Sequence, residues 1–115
     1  MKKALCVFLC CIILISCSAC GSKRMDGISD DAYRYGLAAL ETADDYISGK
    51  ITGETAKDNL SRVSILVDNC DGENDFFVSS NVALLKYAVT AKANGAGTME
   101  KVKEAREDLA KVLGK

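Results

Sequence analysis

Apolar and polar residues are arranged along this chain in two different ways. Residues 4–15 form an unbroken apolar run without a charge, whereas beyond residue 29 apolar positions recur every three or four residues. The second pattern is that of amphipathic helices, each burying one stripe against a shared core. Over 30–48 the stripe is Gly36, Leu40, Ala43 and Ile47, with Tyr33 and Leu37 beside it. Ser29 or Asp30 can cap its start, and Asp30 and Asp31 suit the positive end of the helix dipole. Gly49 suits the left-handed position that ends it. Over 53–68, Ala56, Leu60, Val63 and Val67 repeat the spacing, widened by Leu66, with Thr52 as N-cap. Only Gly49-Lys50-Ile51-Thr52 separates the two, which predicts an antiparallel hairpin with Ile51 placed to staple the second helix.

A third helix is predicted over 75–93, with Asn74 as its cap. It is the most apolar, through Phe77, Val78, Val82, Leu84, Leu85, Ala88, Val89 and Ala91. So wide an apolar surface suits contact with two neighbours. Gly95 and Gly97 break the chain, and Thr98 caps a fourth helix over 99–113. Its stripe is Val102, Ala105, Leu109, Val112 and Leu113, and Glu107 stands in register to pair with Lys111. No run keeps a period of two and proline is absent. The expected fold is all-α, an antiparallel four-helix bundle over 29–115, small enough that its helices depend on one another.

The leading segment calls for a different account. Lys2 and Lys3 precede the apolar run, and Ser16, Ser18, Gly21, Ser22, Lys23 and Arg24 close it off. A run of about 12 residues fits the apolar centre of an export signal, for which roughly 7–15 is usual, and falls short of the ~20 needed to span a bilayer. Leu14-Ile15-Ser16-Cys17 then resembles the lipobox of bacterial lipoproteins: a branched apolar residue, a small residue before the cysteine, and the cysteine itself. The resemblance covers 1–21 and implies that Cys17 is acylated with a diacylglyceryl group and becomes the first mature residue. Cys20 is the alternative, since Ala19 is small and Cys20-Gly21-Ser22 is a common lipoprotein start, although Cys17 then takes the place of the branched residue. An ordinary secretory signal cleaved near Ala19 is the third reading. The expected division is therefore a signal peptide over 1–16, a lipidated cysteine and flexible tether over 17–28, and the helical domain over 29–115. Several acyl chains on one cysteine exceed the threshold for stable anchoring. The protein is accordingly expected on the extracytoplasmic face of the cell membrane.

The segment 33–68 is also similar to helical hairpins in small Gram-positive bacterial proteins. Ala39-Leu40, Asp45-Tyr46-Ile47 and Gly49-Lys50-Ile51-Thr52 followed by Ala56 carry that likeness, which implies no activity.

Composition narrows the function further. All 16 acidic residues but only 13 of the 15 basic ones follow Cys17, leaving the mature part at −3. That balance disfavours nucleic acid as a partner. Histidine is absent, which removes the commonest general base and transition-metal ligand together. Five of the six cysteines fall at or before Cys20, so no disulfide framework spans the domain. Cys70 reads as a buried small hydrophobe at a helix C-terminus beside Asp71, with its thiol pKa raised, or as a partner for Cys20 when Cys17 carries the lipid. The acidic loop at 68–75 resembles a calcium-binding loop only superficially. With Gly72 at the sixth position, Val67 and Val78 fall where carboxylates are required. Its Asp and Asn residues are expected to cap the flanking helices. Glu41, Asp44 and Asp45 read as a solvated acidic face. Of the tyrosines, Tyr33 and Tyr46 suit core and rim packing, and Tyr35 is the candidate for partner contact.

No cofactor, metal site or catalytic residue is expected, and therefore no enzyme. The expected function is a membrane-anchored binding or scaffold module, joined to the bilayer through its acylated cysteine and recognising an envelope protein or peptide. The alternative is an immunity-type lipoprotein that intercepts a toxin or antimicrobial peptide.

Overall fold

The computed structural model describes residues 23–115. The expected export signal, together with Cys17 and Cys20, lies outside the described residues. The rest is all-helical: α1 Asp30–Ile47, α2 Gly53–Asp68, α3 Asp75–Ala93 and α4 Met99–Leu113. The helices form a four-helix bundle. Neighbours in sequence pack side by side, α4 closes back on α1, and α1 meets α3 across the short diagonal.

Local chemistry sets the helix starts. The hydroxyls of Ser29, Thr52 and Thr98 accept from the backbone N–H groups of Ala32, Thr55 and Lys101, each satisfying a donor with no partner inside its helix. Gly49 turns the chain after α1 at φ 83°, a conformation costly for other residues. The core is aliphatic and small: Leu60, Leu85, Leu109 and Leu113 are fully buried with five valines. Gly36 permits a close approach of three helices. A β-carbon there would lie 2.8 Å from Leu113 Cδ2 and 3.2 Å from Val78 Cγ1, so the α1 stripe is notched where α3 and α4 meet it.

Several details differ from the sequence expectations. Leu66 does not widen the α2 stripe into the core; it is 44% exposed, because the α2 stripe through Ala56, Leu60, Val63 and Val67 already fills that interface. Glu107 does not pair with Lys111. It accepts from Arg106 at 2.8 Å, while that same guanidinium reaches Asp44 of α1 at 2.9 and 3.2 Å. The acidic face of α1 is thus partly an interhelical tie. The α3 N-cap residue, Asn74, makes no capping bond; its amide donates to the Asp26 carbonyl at 2.6 Å.

Residues 25–28, read from sequence as the end of the tether, are packed against the bundle. Met25 N–H donates to Val112 O at 3.0 Å, Asn74 N–H to Gly27 O at 2.9 Å, and Ile28 is buried. Arg24 lies 4.8 Å from the Tyr33 ring centroid and bonds Asp30 at 2.6 Å. The domain therefore begins several residues ahead of its first helix.

Candidate functional site

Asp75 is the deepest ionisable group among the described residues, 2% exposed. One oxygen accepts from Ser29 N–H at 2.8 Å. The other accepts from the Ser29 hydroxyl at 2.7 Å and Gly72 N–H at 2.7 Å. Burial alone would raise its pKa, but these three donors outweigh burial and lower it. The carboxylate therefore stays ionised and couples the start of α1 to the start of α3. Both oxygens are engaged by protein donors, and Asp68 accepts from the Ser79 hydroxyl. The acidic loop is built as a helix junction.

Cys70 is half-buried beside this junction, its Sγ 3.5 Å from Leu66 O. Burial pushes its thiol pKa up, and the Asp75 and Asp31 carboxylates push it further against a smaller opposing effect of Ser29. The adjacent Asp71, invoked from sequence, contributes least. The thiol is held protonated and is a poor nucleophile.

Tyr35 is half-buried and packs against the edge of the core, with the Arg34 guanidinium 5.6 Å from its ring centroid. Tyr33 and Tyr46 also pack partly against the core. The tyrosine that stands clear is Tyr87 on α3, 76% exposed. Phe76 and Leu84 on the same helix are 58% and 57% exposed. Every exposed residue of α3 is uncharged: Phe76, Ser80, Ala83, Leu84, Tyr87 and Ala93. The signal in the sequence is the wide apolar surface of this helix, part of which faces solvent where a second buried contact is expected.

Between α3 and α4 lies an open groove of about 410 Å³. Half-buried Ala88, Ala91 and Ala105 form its base, and Leu84 and Tyr87 rise along the α3 side. Lys101, Glu104 and Asp108 line the α4 side. Its volume is within the usual range for a binding cleft. A second open cleft, at the opposite end of the bundle from Asp75, is lined by Tyr46, Glu54, Lys57 and Lys92 and is more polar. The α3 groove offers more apolar area to remove from water. Its chemistry is that of contact: it presents an aromatic anchor, an aliphatic one, small residues that allow close approach, and a charged rim. No helix among the described residues is long and apolar enough to cross a membrane. No protein family matches this chain, and no curated protein or solved structure matches it either.

Proposed function

We propose that the chain is an exported lipoprotein whose helical domain is a binding module on the extracytoplasmic face of the membrane, recognising an envelope protein or peptide. The single observation that carries the binding reading is the uncharged outer face of α3, where Phe76, Leu84 and Tyr87 stand in solvent. Contiguous exposed apolar surface on a small domain marks interaction sites, and aromatic anchors such as Tyr87 dominate interface energies. The address rests on the signal-like run and on the lipobox ending at Cys17, with Cys20 as its alternative. Acyl chains on that cysteine hold the module at the bilayer.

Two measurements test the reading separately. Intact mass of the protein from the membrane fraction should show a diacylated or triacylated species beginning at Cys17 or Cys20. An unlipidated form in the medium overturns the anchor. A photo-crosslinking residue at Tyr87 should capture a discrete partner in intact cells, and the same group at Glu41, on the outer face of α1, should not. Equal capture from both positions, or none from Tyr87, overturns the binding face. The immunity-type reading is favoured by one observation, the carboxylates of Glu104 and Asp108 beside the groove. Deletion of the gene should then sensitise cells to a cationic peptide while leaving envelope assembly intact.

A further inference from the structure

The groove's own chemistry says more about its occupant than the exposed face alone. Its base is made of alanines, so a rod-shaped partner can approach closely. From Leu84 to Ala91 it follows about two helical turns, or roughly 10 Å. Along the α4 side the charges fall one helical turn apart at Lys101, Glu104 and Asp108. Lys101 Nζ is already bonded to Glu104 Oε2 at 3.3 Å. Glu107 is engaged by Arg106. Asp108 has no ion-pair partner among the described residues, so the rim's unpaired charge is negative.

Resting on the binding-module reading above, we propose that the α3–α4 groove takes one basic amphipathic peptide helix. Its apolar face lies between Leu84 and Tyr87 over the alanine base, and a lysine or arginine meets Asp108 with Glu104 beside it. This is the helix-in-groove mode, in which apolar side chains at i, i+3 and i+4 anchor the ligand. The acidic balance of the mature chain adds long-range attraction for a cation. Two other occupants fit less well. A bilayer surface is flat and leaves a concave groove unfilled. A second copy related by twofold symmetry sets the same patch against itself, so the carboxylates of Glu104 and Asp108 meet their like.

The test uses the mature protein from the membrane fraction in phosphatidylcholine nanodiscs, or in plain buffer if it carries no lipid, with empty discs as the blank. Three fluorescein-labelled 18-residue probes are titrated by anisotropy: an amphipathic Leu/Lys helix, the same helix with Glu for Lys, and a scrambled Leu/Lys sequence without an apolar face. The Leu/Lys helix should bind, and the other two should bind at least tenfold more weakly. Asp108→Lys should weaken the Leu/Lys helix roughly tenfold and improve the Leu/Glu one, because an exposed charge contact is reversed rather than merely lost. Leu84→Glu, at a position already in solvent, should weaken the Leu/Lys helix by a similar factor. Glu41→Lys on α1 changes the net charge as much and should leave binding unaltered.

Equal binding of the scrambled probe, or equal loss with Glu41→Lys and Asp108→Lys, reduces the effect to bulk charge and overturns the proposal. Absence of peptide binding together with partner capture at Tyr87 in cells overturns the basic-peptide assignment and leaves the binding module standing. Absence of both removes the binding module as well.

Discussion

α3 and α4 lie side by side in the same bundle and expose opposite chemistry. Every exposed residue of α4 is charged: Glu100, Lys101, Lys103, Glu104, Glu107, Asp108 and Lys111. Every exposed residue of α3 is uncharged, and three of them are large and apolar. Both helices bury comparable inner stripes, Val78, Val82, Leu85 and Val89 on one and Val102, Leu109, Val112 and Leu113 on the other. Folding therefore accounts for the inner halves of both helices and for the outer half of α4, whose charges stay hydrated. It leaves the outer half of α3 unaccounted for. A helix that touches three others still has a side facing water, and on α3 the exposed residues of that side carry no charge.

The comparison can be broken first at adjacent positions of α3. Leu85→Ala should cost about 3 kcal/mol, as a fully buried leucine leaves a cavity. Leu84→Ala, one residue away, should change urea-denaturation stability by less than about 0.5 kcal/mol. Similar losses at both positions would show that the outer face is structural.

Asp75→Asn should cost about 2 kcal/mol, since an amide has one acceptor where the carboxylate has two and three donors depend on it. The pH dependence has a definite sign. The folded pKa is depressed, so this stabilisation is complete above the unfolded value near 3.8 and is lost as pH falls through the lower folded value. Urea midpoints measured from pH 6 downward should fall below about pH 4 in the native chain, and less so in the Asn variant. A variant whose midpoint falls in parallel with the native one would place the acid sensitivity elsewhere.

On the outer side of α4, Arg106→Ala should cost about 0.5–1 kcal/mol, reduced by added salt, because its two bonds to Asp44 span α1 and α4 at a half-exposed site. No salt dependence would mean that the guanidinium contributes by packing. The smallest effect on stability is expected from making α3 resemble its neighbour. Leu84→Lys with Tyr87→Glu should shift the denaturation midpoint within the range of neutral surface changes while abolishing partner capture from position 80 carrying the crosslinker. Retained capture would separate the exposed face from binding.

Much of the fold is legible without coordinates. The bounds of all four helices match the sequence expectation except that α1 stops one residue early. Capping hydroxyls set the starts of α1, α2 and α4, and glycines follow the ends of α1, α3 and α4, whereas α3 starts behind Asn74 without a capping bond. Caps and glycine breaks are local effects of a few consecutive residues. The site is less legible. Leu66 and Leu84 lie next to true core residues and match them in side chain, so periodicity widens each stripe without saying where the neighbouring helix stops. Tyr35 and Tyr87 are equally polar-tipped aromatics on helices, and only packing decides that one ring rests against the core edge while the other stands in water. The Glu107–Lys111 pairing failed for a related reason: a local i, i+4 partner competed with Arg106, which is adjacent to Glu107 and also within reach of another helix.

What the sequence determined by itself is what depends on neighbours within a turn or two: four amphipathic segments, their caps, their breaks, and an all-helical bundle as the way to bury the stripes. What only the tertiary structure decided depends on residues far apart along the chain. Those are the docking of residues 25–28 beside Val112 and Asn74, the ionised carboxylate of Asp75 holding Ser29 across 46 positions, the Arg106–Asp44 tie, and the α3–α4 groove. The physical reason is that burial belongs to the packed assembly. A helix presents its whole circumference, and the arrangement of the others decides which part of it loses contact with water.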